Sequence, residues 1–362
     1  MKSKEFFAAL NAISDTRGLD KDKVLEVMER GILNAVKKEL DYNENVRIEF
    51  QPEKETILVF EDLLVVKEVS DKGQIALKDA RLERKTIKVG ETLTREIKIK
   101  EFGRIAAVSV KQILTQGLKQ LEREKVYEVF KARENEMITA EIIAVNKDFV
   151  TLDLGHNQET SLPRKELLKS DDIRINARLK VYVTKVEMTP KGPKIFVSRN
   201  DKNLVKRLIE QSTPEIQDGT VEIMGISRDA GDRSKVAVYS HDEHVDPVGA
   251  VVGYKGQRIN DVLKALQGER VDIFEWSKDP VELIKNALEP AKIVAINPNK
   301  KLKSCVVIVK DKDFTSAIGS KGQNVRLAAQ SSGWKIDIKS ISDAKELGIN
   351  YRRLDVDDEQ ES

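Results

Sequence analysis

Gly253-Tyr254-Lys255-Gly256 and Gly319-Ser320-Lys321-Gly322 are two copies of one cassette. An apolar stretch leads into each, Val248 to Val252 and Phe314 to Ile318, and each runs on into a helix opening with Gln-Arg-Ile or Gln-Asn-Val. The copies begin 66 residues apart (319 − 253), and after one gap the downstream segments Glu269 to Ile273 and Trp334 to Ile338 align too. The chain therefore carries an internal repeat.

Glycine at each end of the tetrapeptide opens backbone angles closed to other residues and leaves no Cβ in the way of an approaching sugar-phosphate chain. Free N–H groups at the start of the next helix favour negative charge. Lys255 and Lys321 lie inside the turns, and Arg258 and Arg326 on the helices that follow. One such tetrapeptide is an ordinary turn. Two copies with an interior lysine and the same flanks resemble the KH module, whose loop of this form clamps a single-stranded backbone. The expected RNA-binding residues are Gly253, Tyr254, Lys255, Gly256 and Arg258, with Gly319, Ser320, Lys321, Gly322 and Arg326 in the second copy. The two arginines come from helix geometry, not from the motif.

Outward from the loops, residues 201–277 and 278–345 read as matched units. The first predicts helix Asn203 to Gln211, strands Val221 to Ile226 and Lys235 to Tyr239, a helix, the turn, helix Gln257 to Leu266 and strand Val271 to Phe274. The second predicts Val281 to Leu288, Ala291 to Ile296, Cys305 to Val309, the turn, Asn324 to Gln330 and Lys335 to Ile338. This αββααβ order is the bacterial form of the KH fold. With only Ser277-Lys278-Asp279-Pro280 between them, the units are expected to pack rigidly.

Residues 135–200 read as a compact β unit, with strands Ile138 to Val145, Phe149 to Leu154, Arg178 to Val186 and Lys194 to Ser198. About five strands in this length suggest an OB-type barrel of the ribosomal S-one kind, although a small sandwich fits the same pattern. His156 and Arg164-Lys165 fit RNA contacts, and equally a polar loop residue and a helix start.

Residues 1–134 read as a head. Two helices carry stripes at Phe6, Phe7, Leu10 and Ile13 and at Val24, Val27, Met28 and Ile32, with Asp20 as N-cap of the second. Short β runs such as Val46 to Phe50 and Ile57 to Phe60 continue to about Ile99. A long helix follows from about Gly103 to Glu134, apolar at Ile113, Leu114, Leu118, Leu121, Val129 and Phe130, with Glu122 to Lys125 as a solvated face. Residues 346–362 read as an acidic, disordered tail. The fold class is multidomain α+β: a helix/β head with a long helix, an OB-type barrel and two tandem KH domains.

Composition limits the function classes. Of 362 residues, 40% are hydrophobic and 34% charged, enough for cores and for solvated surfaces. No apolar run is long enough to span a bilayer, and the N-terminus does not read as a signal peptide. A lone cysteine, Cys305, in an apolar strand fits a reducing cytoplasm. Segments 1–134, 135–200 and 201–345 each carry a net charge of +2, and 346–362 carries −4. Nucleic-acid binding would therefore rest on local grooves and backbone amides.

The sequence shows no catalytic constellation, and the reading is that the chain is not an enzyme and uses no cofactor or metal. Neither Lys255 nor Lys321 is followed by Ser or Thr, as a nucleotide-binding P-loop requires. His241 and His244 lie near Asp242, Glu243 and Asp246, but a solvated turn is the stronger reading than a metal site. Trp276 and Trp334 border the last strand of each unit and are expected in the core rather than on bases. Tyr254 is expected to be exposed.

The order of parts resembles the NusA family of bacterial transcription elongation and termination factors. The stretches that carry it include Phe102 to Ala107, Val197-Ser198-Arg199, Pro214-Glu215-Ile216, Arg233 to Val238, Asp246 to Ala250, Gly319 to Ala328 and Gly333 to Asp337. The resemblance implies a head that binds RNA polymerase, and a barrel and KH pair that take single-stranded nascent RNA. It also implies modulation of pausing, termination and antitermination in the cytoplasm, by a monomer, alongside other elongation or antitermination factors. Asn135-Glu136 and Asn176-Ala177 stand where the family usually has glycine turns, and Ala230 replaces a common proline. The barrel has few aromatic residues, chiefly Phe149, Tyr182 and Phe196. The sequence ends soon after the second KH unit, without the acidic repeats of some members. The alternatives are an accessory or processing factor of the RNA-decay machinery, whose KH units precede the barrel, and a ribosomal component, which would be more basic.

Overall fold

A computed structural model describes residues 8–354 apart from 9, 13, 17, 40–44, 52–53, 55 and 97–110. The chain divides into two units: residues 1–129 with 188–193, and residues 130–187 with 194–362.

In the first unit, helical backbone at residues 10–12 and 14–16 precedes α1 (Lys21–Glu39). Asp20 caps α1 as expected, its carboxylate accepting from the Asp22 amide at 2.9 Å. A four-stranded sheet follows: β1 (Val46–Gln51), β2 (Thr56–Val66), β3 (Gln74–Ala76) and β4 (Thr92–Glu96), with β2 pairing all three others. Leu10, Leu19, Val24, Met28, Val46, Ile48 and Val59 form its core with Leu118 and Leu121 of α3 (Lys111–Lys131). Within the expected β run lies a helix, α2 (Leu77–Glu83), where good helix formers surround a single buried residue, Ala80. Glu122 to Lys125 is not a bare solvated face, because Arg123 donates to the Pro190 carbonyl and Lys125 to that of Gly18. Phe6, Phe7, Ile13, the Ile32 side chain, Phe102 to Ala107, and the Ile113 and Leu114 side chains lie outside the described residues.

The second unit opens with the barrel: β5 (Met137–Val145), β6 (Phe149–Asp153), β7 (Glu159–Pro163), β8 (Arg178–Thr189) and β9 (Gly192–Ser198), in sheet order β7-β6-β5-β8-β9. Thr160 Oγ1 donates to the Ile195 carbonyl at 2.6 Å, drawing β7 onto β9 and closing one barrel rather than a sandwich. Asn135 and Asn176 take φ of 68° and 67°, so asparagine supplies the left-handed turns in place of glycine.

The KH units share one topology. In the first, α4 (Lys202–Ser212) and a short α5 (Pro214–Gln217) precede β10 (Val221–Asp229) and β11 (Arg233–Ser240); α6 (Pro247–Val252), α7 (Gln257–Ala265) and β12 (Arg270–Glu275) complete it. In the second, α8 (Pro280–Leu288), β13 (Ile293–Asn299), β14 (Ser304–Val309), α9 (Phe314–Ile318), α10 (Gln323–Ser332) and β15 (Lys335–Ser340) repeat the order. In each sheet the first pair is antiparallel, the second parallel. Val236 and Val238 face the first unit's own helices, whereas Ala237 and Phe274 join the core of the second. Helix α10 lies so close across that sheet that a Cβ on Gly225 would sit 2.0 Å from the Ser331 carbonyl oxygen. Ser227 Oγ donates to the Leu327 carbonyl at 2.7 Å, and Lys235 Nζ, 1% exposed, to that of Glu289 at 2.9 Å. Burial lowers the Lys235 pKa, and Asp272 at 3.5 Å opposes that shift.

The back of the second sheet is covered by α11 (Ile341–Glu346) with Ile349 and Tyr351, and the Leu354 amide donates to Val294. Within 346–354, Ile349 and Tyr351 pack on that apolar face while the other residues are exposed, so this stretch lies against the second sheet instead of forming a free tail. Residues 355–362 lie outside the described residues.

Arg199 fastens the barrel to the first KH unit. It is fully buried, pairs with buried Asp171, and donates to the carbonyls of Lys180 at 2.7 Å and of Ala265, at the end of α7, at 3.1 Å. A cation at a helix C-terminus meets the negative end of its dipole.

Candidate nucleic-acid interface

The two loops have the same backbone. Gly253 and Gly319 lie at φ 75°, ψ 172° and φ 77°, ψ 170°, a region essentially closed to residues with a Cβ. Lys255 and Lys321 are left-handed at φ 50°, ψ 30° and φ 51°, ψ 29°, a conformation a lysine rarely adopts. Gly256 and Gly322 follow at φ 75° and 73° and lead directly into α7 and α10. Strain repeated at one position in both copies marks a functional loop more than a convenient turn.

Each loop closes through a hydrogen bond between its glycines, Gly256 N–H to the Gly253 carbonyl at 3.0 Å and Gly322 N–H to that of Gly319 at 3.1 Å. Among the described residues the amides between them, of Tyr254, Lys255, Ser320 and Lys321, have no protein acceptor. Successive unpaired amides in such a turn form a concavity suited to an anion. The helices behind reinforce it. Asp201, Asp246 and Ser340 cap α4, α6 and α11 with their side chains, but α7 and α10 start on bare glycine, with no acid in the first turn. Their positive ends stay open to an outside anion. Nothing lies within 4 Å of a Cβ built on Gly322, so the space before that helix is clear.

Tyr254, Lys255, Ser320 and Lys321 are exposed. Tyr254 is 80% exposed, with Lys255 Nζ 5.3 Å from its ring centroid. The two arginines are placed differently from the loops. Counted from the first glycine, Arg258 aligns with Asn324, and Arg326 with Asn260. Arg258 is half-buried, bonded to Glu215 at 2.7 Å and to the Ala250 carbonyl at 2.6 Å, and its side chain lies under Gly253. Buried Asn324 does the same work in the second unit, donating to the carbonyls of Leu288 and Ala317 at 3.1 and 3.0 Å. Arg326 is held by Asp229 of the first unit. Asn324 and Asp229 were missed by sequence reasoning, although the count of five residues from the first glycine identifies Asn324.

Elsewhere the polar candidates hold local structure. His156 packs edge-on against Phe130 at 6.2 Å, and Arg164 donates to the Asn146 carbonyl, while Lys165 is exposed. Phe149 is exposed on the barrel and Lys194 lies over Phe196 at 4.8 Å, but Tyr182 is buried in the core of the first KH unit. Trp276 and Trp334 pack on the core of the second KH unit. His241 pairs with Glu222 at 3.1 Å, and among the described residues no His, Cys, Asp and Glu group is arranged to hold a metal ion. Burial pushes the Cys305 thiol up to about 12.

An OB barrel bolted to two abutting KH units, each presenting an open anion-accepting loop, defines a multidomain RNA-binding protein. Comparison narrows the class. Residues 5–124 match the NusA N-terminal domain, 131–197 the S1 RNA binding domain, 199–276 the NusA-like first KH domain and 280–346 the NusA-like second KH domain. The transcription termination/antitermination protein NusA of Bacillus subtilis (strain 168) is 42% identical over 358 residues, covering 99% of this chain and 96% of that protein. That of Halalkalibacterium halodurans is 42% identical over 348 residues, covering 96% and 91%. That of Thermus thermophilus is 37% identical over 358 residues, covering 95% and 92%. The chain belongs to the NusA family.

Proposed function

We propose that this chain is an RNA-binding transcription factor that modulates pausing, termination and antitermination. It does so by holding single-stranded nascent RNA while its head engages RNA polymerase. The observation that carries the RNA part is the pair of identical strained loops, with unbonded amides in front of uncapped helices. Gly253, Lys255, Gly256, Gly319, Lys321 and Gly322 take successive phosphates, Tyr254 and Ser320 line the same path, and Arg258 and Arg326 act behind them. Polymerase binding rests on the family and on the matched N-terminal domain. The role is one of binding without catalysis or cofactor, in the cytoplasm, as a monomer that works beside other elongation factors. No helix among the described residues is long and apolar enough to cross a membrane.

The test is transcription by purified bacterial polymerase on a template with one pause site and one intrinsic terminator. The full chain is expected to change pause lifetime and termination, and the Lys255→Asp, Lys321→Asp chain to lose most of that effect while still binding polymerase. A wild-type chain without influence on either would refute the reading.

A further inference from the structure

The two loops share a backbone but not their surroundings. Behind the first, Gln257 is exposed and its side chain has no hydrogen bond among the described residues. Behind the second, the equivalent Gln323 donates through Nε2 to Asp229 at 2.9 Å and to Asp232 at 2.8 Å, and Arg326 pairs with the same Asp229. Both carboxylates sit at the β10–β11 turn of the first KH unit, which is itself rigid. Buried Glu269 accepts from Arg228, Ser234 and the Gly231 amide there, and the Asp232 amide donates to the Asp229 carbonyl at 3.0 Å.

Two carboxylates close to a polyanion-binding loop oppose binding unless they are occupied by something that aids it. Asp232 is shared between Gln323 and Arg270, the latter at 3.7 Å, whereas Asp229 is held by the first residue of α10 and a residue three positions on, so the bonds to Asp229 fix the first turn of α10, directly behind the loop that carries the Ser320 and Lys321 amides. We infer that Asp229 is a positioning residue for the second RNA loop. Acting through Gln323 and Arg326, it locks the start of α10 against the first unit, so the second clamp is assembled from both units. The inference rests on the reading of the loops as RNA clamps. It also gives Arg326 a definite role, as an anchor rather than a phosphate contact.

The experiment is titration of a labelled, unstructured single-stranded RNA with the full chain over a range of salt concentrations. The variants are Asp229→Asn, which keeps shape but removes charge, Arg326→Ala, Lys321→Asp, and Asp229→Asn combined with Lys321→Asp. Asp229→Asn and Arg326→Ala should each weaken binding about fivefold, with unchanged melting curves and an unchanged slope of log affinity against log salt. Adding Asp229→Asn to Lys321→Asp should cost nothing further. Equal or tighter binding by Asp229→Asn would overturn the inference, as would full additivity with Lys321→Asp. A salt slope reduced by about 0.7 in Arg326→Ala would make Arg326 a direct phosphate contact and overturn it too. No effect of Lys321→Asp alone would instead sink the clamp reading, and the inference with it.

Discussion

Alanine at Gly319 and at Gly322 should separate the two reasons for glycine in these loops. At Gly322, φ is 73° and ψ 18°, and a Cβ would meet nothing within 4 Å. The penalty is that of a left-handed alanine alone, about 1 kcal/mol. At Gly319 the backbone lies at φ 77°, ψ 170°, where strain contributes about 2 kcal/mol. The new Cβ would also lie 2.8 Å from the Asn324 nitrogen and 2.9 Å from its Cβ. Those atoms belong to the start of α10 and cannot swing aside, so overpacking adds about 2 kcal/mol. The assay is urea unfolding followed by Trp334, which packs on the second KH core, in a Trp276→Phe background. With a slope of about 2 kcal/mol per M, Gly319→Ala should lower the midpoint by about 2 M, and Gly322→Ala by about 0.5 M. Gly322→Ala should nonetheless weaken RNA binding, because its methyl fills the clear space before the helix. Equal midpoint shifts, or a larger one at Gly322, would refute this reasoning.

Gly225→Ala should uncouple the KH units, since its Cβ would sit 2.0 Å from the Ser331 carbonyl oxygen; calorimetry should then show their single transition broadened or split, after a loss of about 2–3 kcal/mol. Arg199→Met should destabilise the second unit by about 3–5 kcal/mol in denaturant titrations, because Asp171 is left buried without its charge partner. Cys305, its thiol pushed by burial from the ordinary thiol range up to about 12, should resist iodoacetamide at pH 8 in the folded chain and react in urea. Its folded pKa is the higher one, so its contribution to stability is full below about pH 9 and lost as pH rises toward 12.

The parts that organise this fold were the most legible. Paired glycines at fixed spacing need particular backbone angles wherever they occur, so the two loops and their αββααβ frames could be read from local pattern. What escaped was set by partners distant in sequence. Strand Glu159–Pro163 buries only Leu162 and is a strand because β6 pairs with it. Helix Leu77–Glu83 buries only Ala80, leaving no periodicity to read. Asn135 and Asn176 looked like departures from a glycine pattern but are the non-glycine residues best suited to the left-handed angle. At the site, helix geometry placed Arg258 and Arg326 on one footing, and only the packing reveals that one props its own loop while the other is held by the neighbouring unit. A cation on a helix next to a phosphate loop is an ambiguous signal until the nearest carboxylate is known.

The most direct measurement of the central claim is the affinity of labelled single-stranded RNA for the wild-type chain and for Lys255→Asp, Lys321→Asp at two salt concentrations. The account predicts salt-sensitive wild-type binding, and a loss of more than about 1 kcal/mol per replaced lysine in a variant that remains folded. Equal binding by a folded double variant would contradict it and move the RNA site away from the paired loops.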